Sequence, residues 1–137
     1  MVDSAILVAA ARGRSAGALF IAIRSASLIT TDRVVHEARR RIEVGLKLPE
    51  LLDILGGLVA EITVVPAAAL AALIADAETA LREAVPSRNG STRDAHVLAL
   101  ARSIDADIWT TDCDFAGTGT ATWSTPNLMR GLAAAAS

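Results

Sequence analysis

Tyrosine is absent from this chain, and two Trp and two Phe are its only aromatic side chains. So small an aromatic content leaves few platforms on which nucleic-acid bases could stack. A single cysteine, Cys113, rules out an internal disulfide and fits a reducing cytoplasm. It stands between Asp112 and Asp114, whose charges favour the thiol over the thiolate, so it is a spacer and not a nucleophile. His36 and His96 are the only histidines, too few with one cysteine for a structural zinc site. His36-Glu37 begins like the zinc-protease pattern H-E-x-x-H, but Arg40 holds the last place. Each histidine is expected on a helix surface or as a satisfied core residue. No segment looks membrane-spanning: the apolar run over residues 5–11 is short, has no basic segment before it, and the next run is broken by Arg24. A soluble cytoplasmic protein is expected.

What is present is aliphatic and unevenly charged. Hydrophobic residues make up 53% of 137 residues, enough to build the core of one domain over residues 1–137. The net charge of −2 hides an asymmetry. Residues 1–47 carry eight Arg/Lys against four Asp/Glu, while residues 48–137 carry five against eleven. A basic half beside an acidic half suits phosphate-binding arginines flanking a metal-binding cleft, and equally suits solvated helices.

Residues 1–4 form a very short strand ending in an acid, and the apolar run after it turns into the first helix. Residues 13–17 suit a loop and residues 18–25 a helix with Leu19, Ala22 and Ile23 on one side. Residues 27–30 suit a strand, after which Thr31 or Asp32 can cap a helix running to about Gly45. Pro49 opens a helix over residues 50–55 that Gly56-Gly57 should stop. Residues 61–65 are the clearest strand, and residues 67–84 a long helix whose small side chains predict dimer contacts. A loop over residues 86–90 leads to residues 91–115, a helix, a tight connection and a strand over residues 107–111. A turn at residues 117–120, a short strand at 121–124 and a helix over 127–135 complete the chain. Strands alternating with helices predict a three-layer α/β/α architecture around a mainly parallel sheet.

Ligands of such sheets bind beyond the carboxyl ends of the strands, and acids stand at those ends. Asp3 follows the first strand, and Asp112 and Asp114 follow the strand of residues 107–111. Asp94 falls on one helical face with the apolar Leu98 and Ala101, at the rim of a buried stripe. Glu37 borders the apolar stripe Val34, Ala38, Ile42. Each acid alone has an ordinary reading. Asp94 completes the capping box Ser91-Thr92-Arg93-Asp94, and Asp112 fits an Asx-turn. Glu37 is spaced for an ion-pair ladder with Arg33 and Arg41, worth about 0.3–0.5 kcal/mol per pair. Asp112-Cys113-Asp114 opens like a calcium loop, but Ala116 and Trp123 stand where later ligands belong.

Taken together, these acids carry more. Carboxylates that converge raise one another's pKa and oppose folding, unless a divalent cation relieves the repulsion. All-oxygen ligation selects magnesium or manganese over zinc. Such an ion can activate water and stabilise charge developing on a phosphate, which is phosphodiester hydrolysis without histidine or cysteine.

Four motifs resemble those of the PIN-domain nucleases, almost end to end. They are Val2-Asp3-Ser4-x-x-Leu7-Val8, Thr31-Asp32-Arg33-Val34-Val35-x-Glu37, Asp94-Ala95-x-x-Leu98-Ala99-x-Ala101 and Ile108-Trp109-Thr110-x-Asp112-x-Asp114-Phe115. The last two, at this separation, are the specific ones. The chain departs from the family's usual form in having two residues before Asp3, and Ala5 where Asn or Ser is frequent. The resemblance implies that Asp3, Glu37, Asp94 and Asp112 form the catalytic set. Asp3, Asp94 and Asp112 would hold Mg2+ or Mn2+ with Asp114 as auxiliary, and the Thr110 hydroxyl would orient a carboxylate or water. Small PIN proteins of this size resemble toxins of the VapC-like type, so an endoribonuclease toxin with an antitoxin partner and a homodimeric state is expected. Arg12, Arg14, Arg33, Arg39, Arg40 and Arg41 are the candidates for holding RNA phosphates. With few aromatics, RNA shape should count for more than base identity. The alternatives are a catalytically inactive module that binds RNA or protein, and a small metal-dependent phosphohydrolase.

Overall fold

Among the described residues, five segments, each only one to three residues long, make the sheet of this protein. In the computed structural model, which describes residues 1–84, 92–111 and 113–136, β1 (Ile29–Thr31) pairs with β2 (Thr63–Val65) and β3 (Ile108–Trp109) with β4 (Thr122–Trp123). Val2 joins the two pairs. Its N–H donates to the Ile29 carbonyl at 2.9 Å, it bridges in parallel to Trp109, and the Asp3 N–H donates to the Trp109 carbonyl at 3.1 Å. The order across the sheet is therefore β2, β1, Val2, β3, β4. Val2, immediately before Asp3, is fully buried and bonded on both sides.

The helices fall into two groups about this sheet. α1 (Ser4–Ala11) packs against α2 (Ala16–Ser25), α3 (Asp32–Arg40) and α4 (Leu52–Val59). α5 (Ala71–Glu83) packs along α6 (Ala95–Ser103), which also touches β1 and β3, and α7 (Thr125–Ala135) meets α2. The result is the expected α/β architecture with a parallel sheet between helical layers. Every residue of α6 from Ala95 to Ala101 is buried, as befits a helix that is apolar nearly all round. Among the described residues, no helix is long and apolar enough to cross a membrane.

Several local expectations are corrected. The apolar run over residues 5–11 is α1 itself, and its uniform hydrophobicity concealed the helical period. Gly56-Gly57 does not stop a helix: α4 runs through both to Val59. Each glycine costs the helix about 1 kcal/mol, but neither needs a left-handed backbone, and the packing of buried Leu55 and of α4 on α1 outweighs the penalty. The helix expected over residues 67–84 begins as a 3-10 turn, Ala67–Leu70, before α5. α3 is capped by Thr31, whose Oγ1 accepts the Val34 N–H at 3.1 Å, and it continues as a π turn, Arg41–Gly45. The strand expected over residues 107–111 is two residues long, although the Thr110 N–H beyond it still donates to the Trp123 carbonyl of β4 at 3.1 Å. Asp94 is the N-cap residue of α6, one turn earlier than the third helical place of a capping box. Ser91, the loop of residues 86–90 and Asp112 lie outside the described residues.

α6 is tied to β3 by a short reversal at Asp105-Ala106. Asp105 is left-handed at φ 52°, the Ala106 N–H donates to the Ala101 carbonyl at 2.8 Å, and the Asp105 N–H to the Arg102 carbonyl at 3.4 Å. This paired closure of a helix end turns the chain into β3 within two residues.

Candidate active site

The carboxyl edge of the sheet is where buried polar side chains collect. Asp3 follows Val2, Thr31 ends β1, and Thr110 follows β3; all three are buried. Asp3 is only 5% exposed. Its Oδ1 accepts the Ser4 N–H at 2.8 Å, and its Oδ2 accepts the Thr110 hydroxyl at 2.8 Å. A carboxylate this deep is tolerable only when its oxygens are bonded, and these two bonds fix its position at the mouth of the sheet.

Beside it lies a cavity of about 680 Å³. One wall is the face of α3 and its π extension, from Arg33, His36 and Glu37 through Arg40 and Arg41 to Val44. Those positions recur at helical spacing, so one face carries them all. The opposite wall is the start of α6, with Thr92, Arg93 and His96. Among the described residues, four arginines and two histidines thus line the cavity with a single acid, Glu37. Arg41 reaches from this cavity to the Ser4 hydroxyl at 3.5 Å, which links the cavity to the neighbour of Asp3.

Asp94 sits half-buried between Arg93 and the buried part of α6, and its carboxylate does not cap that helix. The capping box that would pair it with Ser91 lies outside the described residues. Glu37 does not take up its ordinary role: it forms no ion pair with Arg33 or Arg41. Asp112, the remaining acid of the set, lies outside the described residues. Among the described residues no three His, Cys, Asp or Glu side chains are grouped to hold a metal ion.

The arginines separate by position. Arg33, Arg40 and Arg41 line the cavity, as does Arg93, which spacing alone did not single out. Arg39 lies off that face of α3. Arg12 and Arg14 lie past the far end of α1, more than 12 Å of helix from Asp3 at about 1.5 Å per residue.

His96 is the other residue that sequence reasoning passed over. It is 4% exposed, and its Nδ1 lies 2.8 Å from the Thr31 hydroxyl. Its pKa is lowered to about 4, first by burial and then by the Arg33 charge, with Asp32 opposing weakly. The imidazole is neutral at physiological pH. Only the third dimension reveals this, because Thr31 is 65 residues away.

A match to the PIN domain family model spans residues 1–133. The chain belongs to the PIN domain family. No curated protein and no solved structure matches it. PIN domains are typically nucleases and generally use divalent metals, which assigns the chain nuclease-type, hydrolytic activity. The residues here fit such a metal in kind: Asp3 presents carboxylate oxygens at the sheet edge, the hard donors that magnesium and manganese prefer.

Proposed function

We propose that this protein is a metal-dependent endoribonuclease that hydrolyses RNA phosphodiester bonds, acting as the toxin of a toxin–antitoxin pair. The observation that carries the reading is the juxtaposition of a buried, doubly hydrogen-bonded Asp3 with an arginine-lined cavity that Arg41 connects to it. Acids at the sheet edge and cations along the adjoining wall are the two things a phosphodiesterase must hold close together.

In this reading Asp3, Asp94 and Asp112 hold Mg2+ or Mn2+, with Asp114 as auxiliary and Glu37 facing the same space from α3. A bound divalent ion supplies the counter-charge for these acids and for the phosphate, and activates water. The chain's own residues do the rest. Thr110 and the Ser4 amide orient the Asp3 carboxylate. Arg33, Arg40, Arg41 and Arg93 draw in the RNA backbone and hold its phosphates against the acids. Arg12, Arg14 and Arg39, off the cavity, would extend the electrostatic attraction without touching the cleaved bond.

The test is incubation of the purified protein with single-stranded RNA in magnesium, in manganese and in excess chelator. Internal cleavage that requires either ion is the expected result. RNA binding without cleavage in any of the three would favour the inactive binding module instead. Turnover of a small phosphate ester with RNA left intact would favour the phosphohydrolase. The toxin role predicts that induced expression arrests growth and that Asp94→Asn relieves the arrest.

A further inference from the structure

His96 is buried in α6, lines the arginine-rich cavity and has no part in the acid set. Its hydrogen bonding fixes where its proton is. The Thr31 hydroxyl has one hydrogen and two lone pairs. It accepts the Val34 N–H at 3.1 Å as the cap of α3, and its only other partner among the described residues is His96 Nδ1 at 2.8 Å. Thr31 is fully buried. Were Nδ1 the donor, the hydroxyl hydrogen would be sealed in the core with no acceptor, a loss comparable to a broken hydrogen bond. The hydroxyl therefore donates to Nδ1, and the neutral ring carries its proton on Nε2.

That second nitrogen has no hydrogen-bond partner among the described residues. It is not sealed off either, since no buried side-chain nitrogen or oxygen among the described residues lacks a hydrogen bond. Nε2–H therefore meets the cavity whose wall His96 forms, among Arg33, Arg40 and Arg93. The Nδ1 lone pair is occupied, so the ring can donate into the cavity but cannot take a proton there as a base.

We infer that His96 is a substrate-binding residue: its Nε2–H, set by Thr31, donates to a phosphate oxygen of the RNA backbone in the arginine-lined cavity. The inference rests on reading that cavity as the RNA site. It adds a contact of a different kind from the arginines. The donor is uncharged and rigid, so it contributes affinity and placement without releasing a counterion.

That difference is measurable. Binding of a short fluorescein-labelled single-stranded RNA is followed by anisotropy in chelator, where the expected hydrolysis is silent, over a series of salt concentrations. His96→Phe should weaken affinity about tenfold, with the slope of log K against log salt unchanged. His96→Gln, which offers both an acceptor for Thr31 and an N–H donor, should recover most of the loss. Arg40→Gln, by contrast, should make the slope shallower. Unchanged affinity in His96→Phe, or a slope that falls as it does for Arg40→Gln, overturns the inference. Nitrogen-15 spectra of the wild-type ring give an answer even if the variant misfolds. They should show the Nε2–H tautomer, with the Nε2 signal shifting on RNA addition. An Nδ1–H tautomer, or an Nε2 signal unmoved at saturating RNA, contradicts the assignment. Wild type that binds no RNA removes the reading of the cavity and this inference together; wild type that binds while the His96 variants match it removes the inference alone.

Discussion

Glu78 and Arg82 on α5 have the same spacing as Glu37 and Arg41 on α3, and the two pairs behave oppositely. On α5 the side chains meet, with Arg82 Nη2 3.3 Å from Glu78 Oε2. On α3 they do not: Arg41 turns toward Ser4, and Glu37 faces the cavity. The α5 pair lies at the surface, with the Arg82 side chain 59% exposed. The α3 side chains look across a cavity toward another helix, and three more arginines share that space. Local spacing makes a pair possible, and the surrounding structure decides whether it forms. The consequence is that Glu37 and Arg41 do not neutralise each other, while Glu78 and Arg82 do.

The sharpest way to break this contrast is to remove charge from each helix in turn. Arg33→Gln combined with Arg40→Gln should weaken single-stranded RNA binding on the order of 10–100-fold and make the salt slope shallower by about 1.4, from ~0.7 per lost phosphate contact. Arg82→Gln should change neither quantity. Equal effects from both helices would mean that the cavity is not where RNA lies.

Acid stability separates the two sides next. His96 has an unfolded pKa near 6.5 and a folded value of about 4. The unfolded chain therefore takes up a proton that the folded chain refuses. Stability is unaffected by this group above about pH 6.5, falls as the pH drops toward 4, and levels off below, for a total on the order of 3 kcal/mol. Urea unfolding at a series of pH values measures it, and His96→Phe should remove this share of the acid sensitivity. Arg33→Gln should shrink it, because the Arg33 charge is one of the causes of the shift.

A third comparison uses two threonines. Thr110→Val takes a hydrogen bond from the buried Asp3 carboxylate and should cost about 1–3 kcal/mol. Thr79→Val on α5 removes an exposed bond to the Ala75 carbonyl and should stay within about 0.5 kcal/mol. Smallest of all, Glu78→Gln should shift stability by no more than about 0.5 kcal/mol, as for other exposed helical pairs. A larger loss there would mean that the α5 pair is part of a structure not visible in its two side chains.

Much of this architecture was legible in the residues. The alternation of strands and helices, the cap at Thr31, the helix that carries Asp94 and the turn at Gly117 and Gly119, both left-handed, all follow from local chemistry. What was not legible depends on distant partners. Gly56-Gly57 signals a stop, yet the contact of α4 with α1 carries the helix through. Arg33, Glu37 and Arg41 signal a ladder, yet the cavity opposite draws them away. Of the candidate site, Asp3 can be placed because an acid after a strand must lie at the sheet edge. Arg12 and Arg14 were grouped with the cavity arginines because sequence proximity to Asp3 ignores the length of α1. Arg93 was passed over beside a more conspicuous Asp94. His96 reads in the sequence as either a helix-surface or a satisfied core residue, and it combines the two: it is buried against Thr31 and also lines the cavity.

Acids from separate segments are proposed to act as one metal-dependent centre for cutting RNA. The direct test compares RNA cleavage by wild type, Asp3→Asn, Asp94→Asn and Asp112→Asn in saturating manganese, with folding checked by circular dichroism. Each variant is expected to fold and to lose cleavage by on the order of 100-fold or more, because a neutral amide cannot replace a carboxylate at a divalent ion. Folded variants that cut RNA as fast as wild type would contradict it.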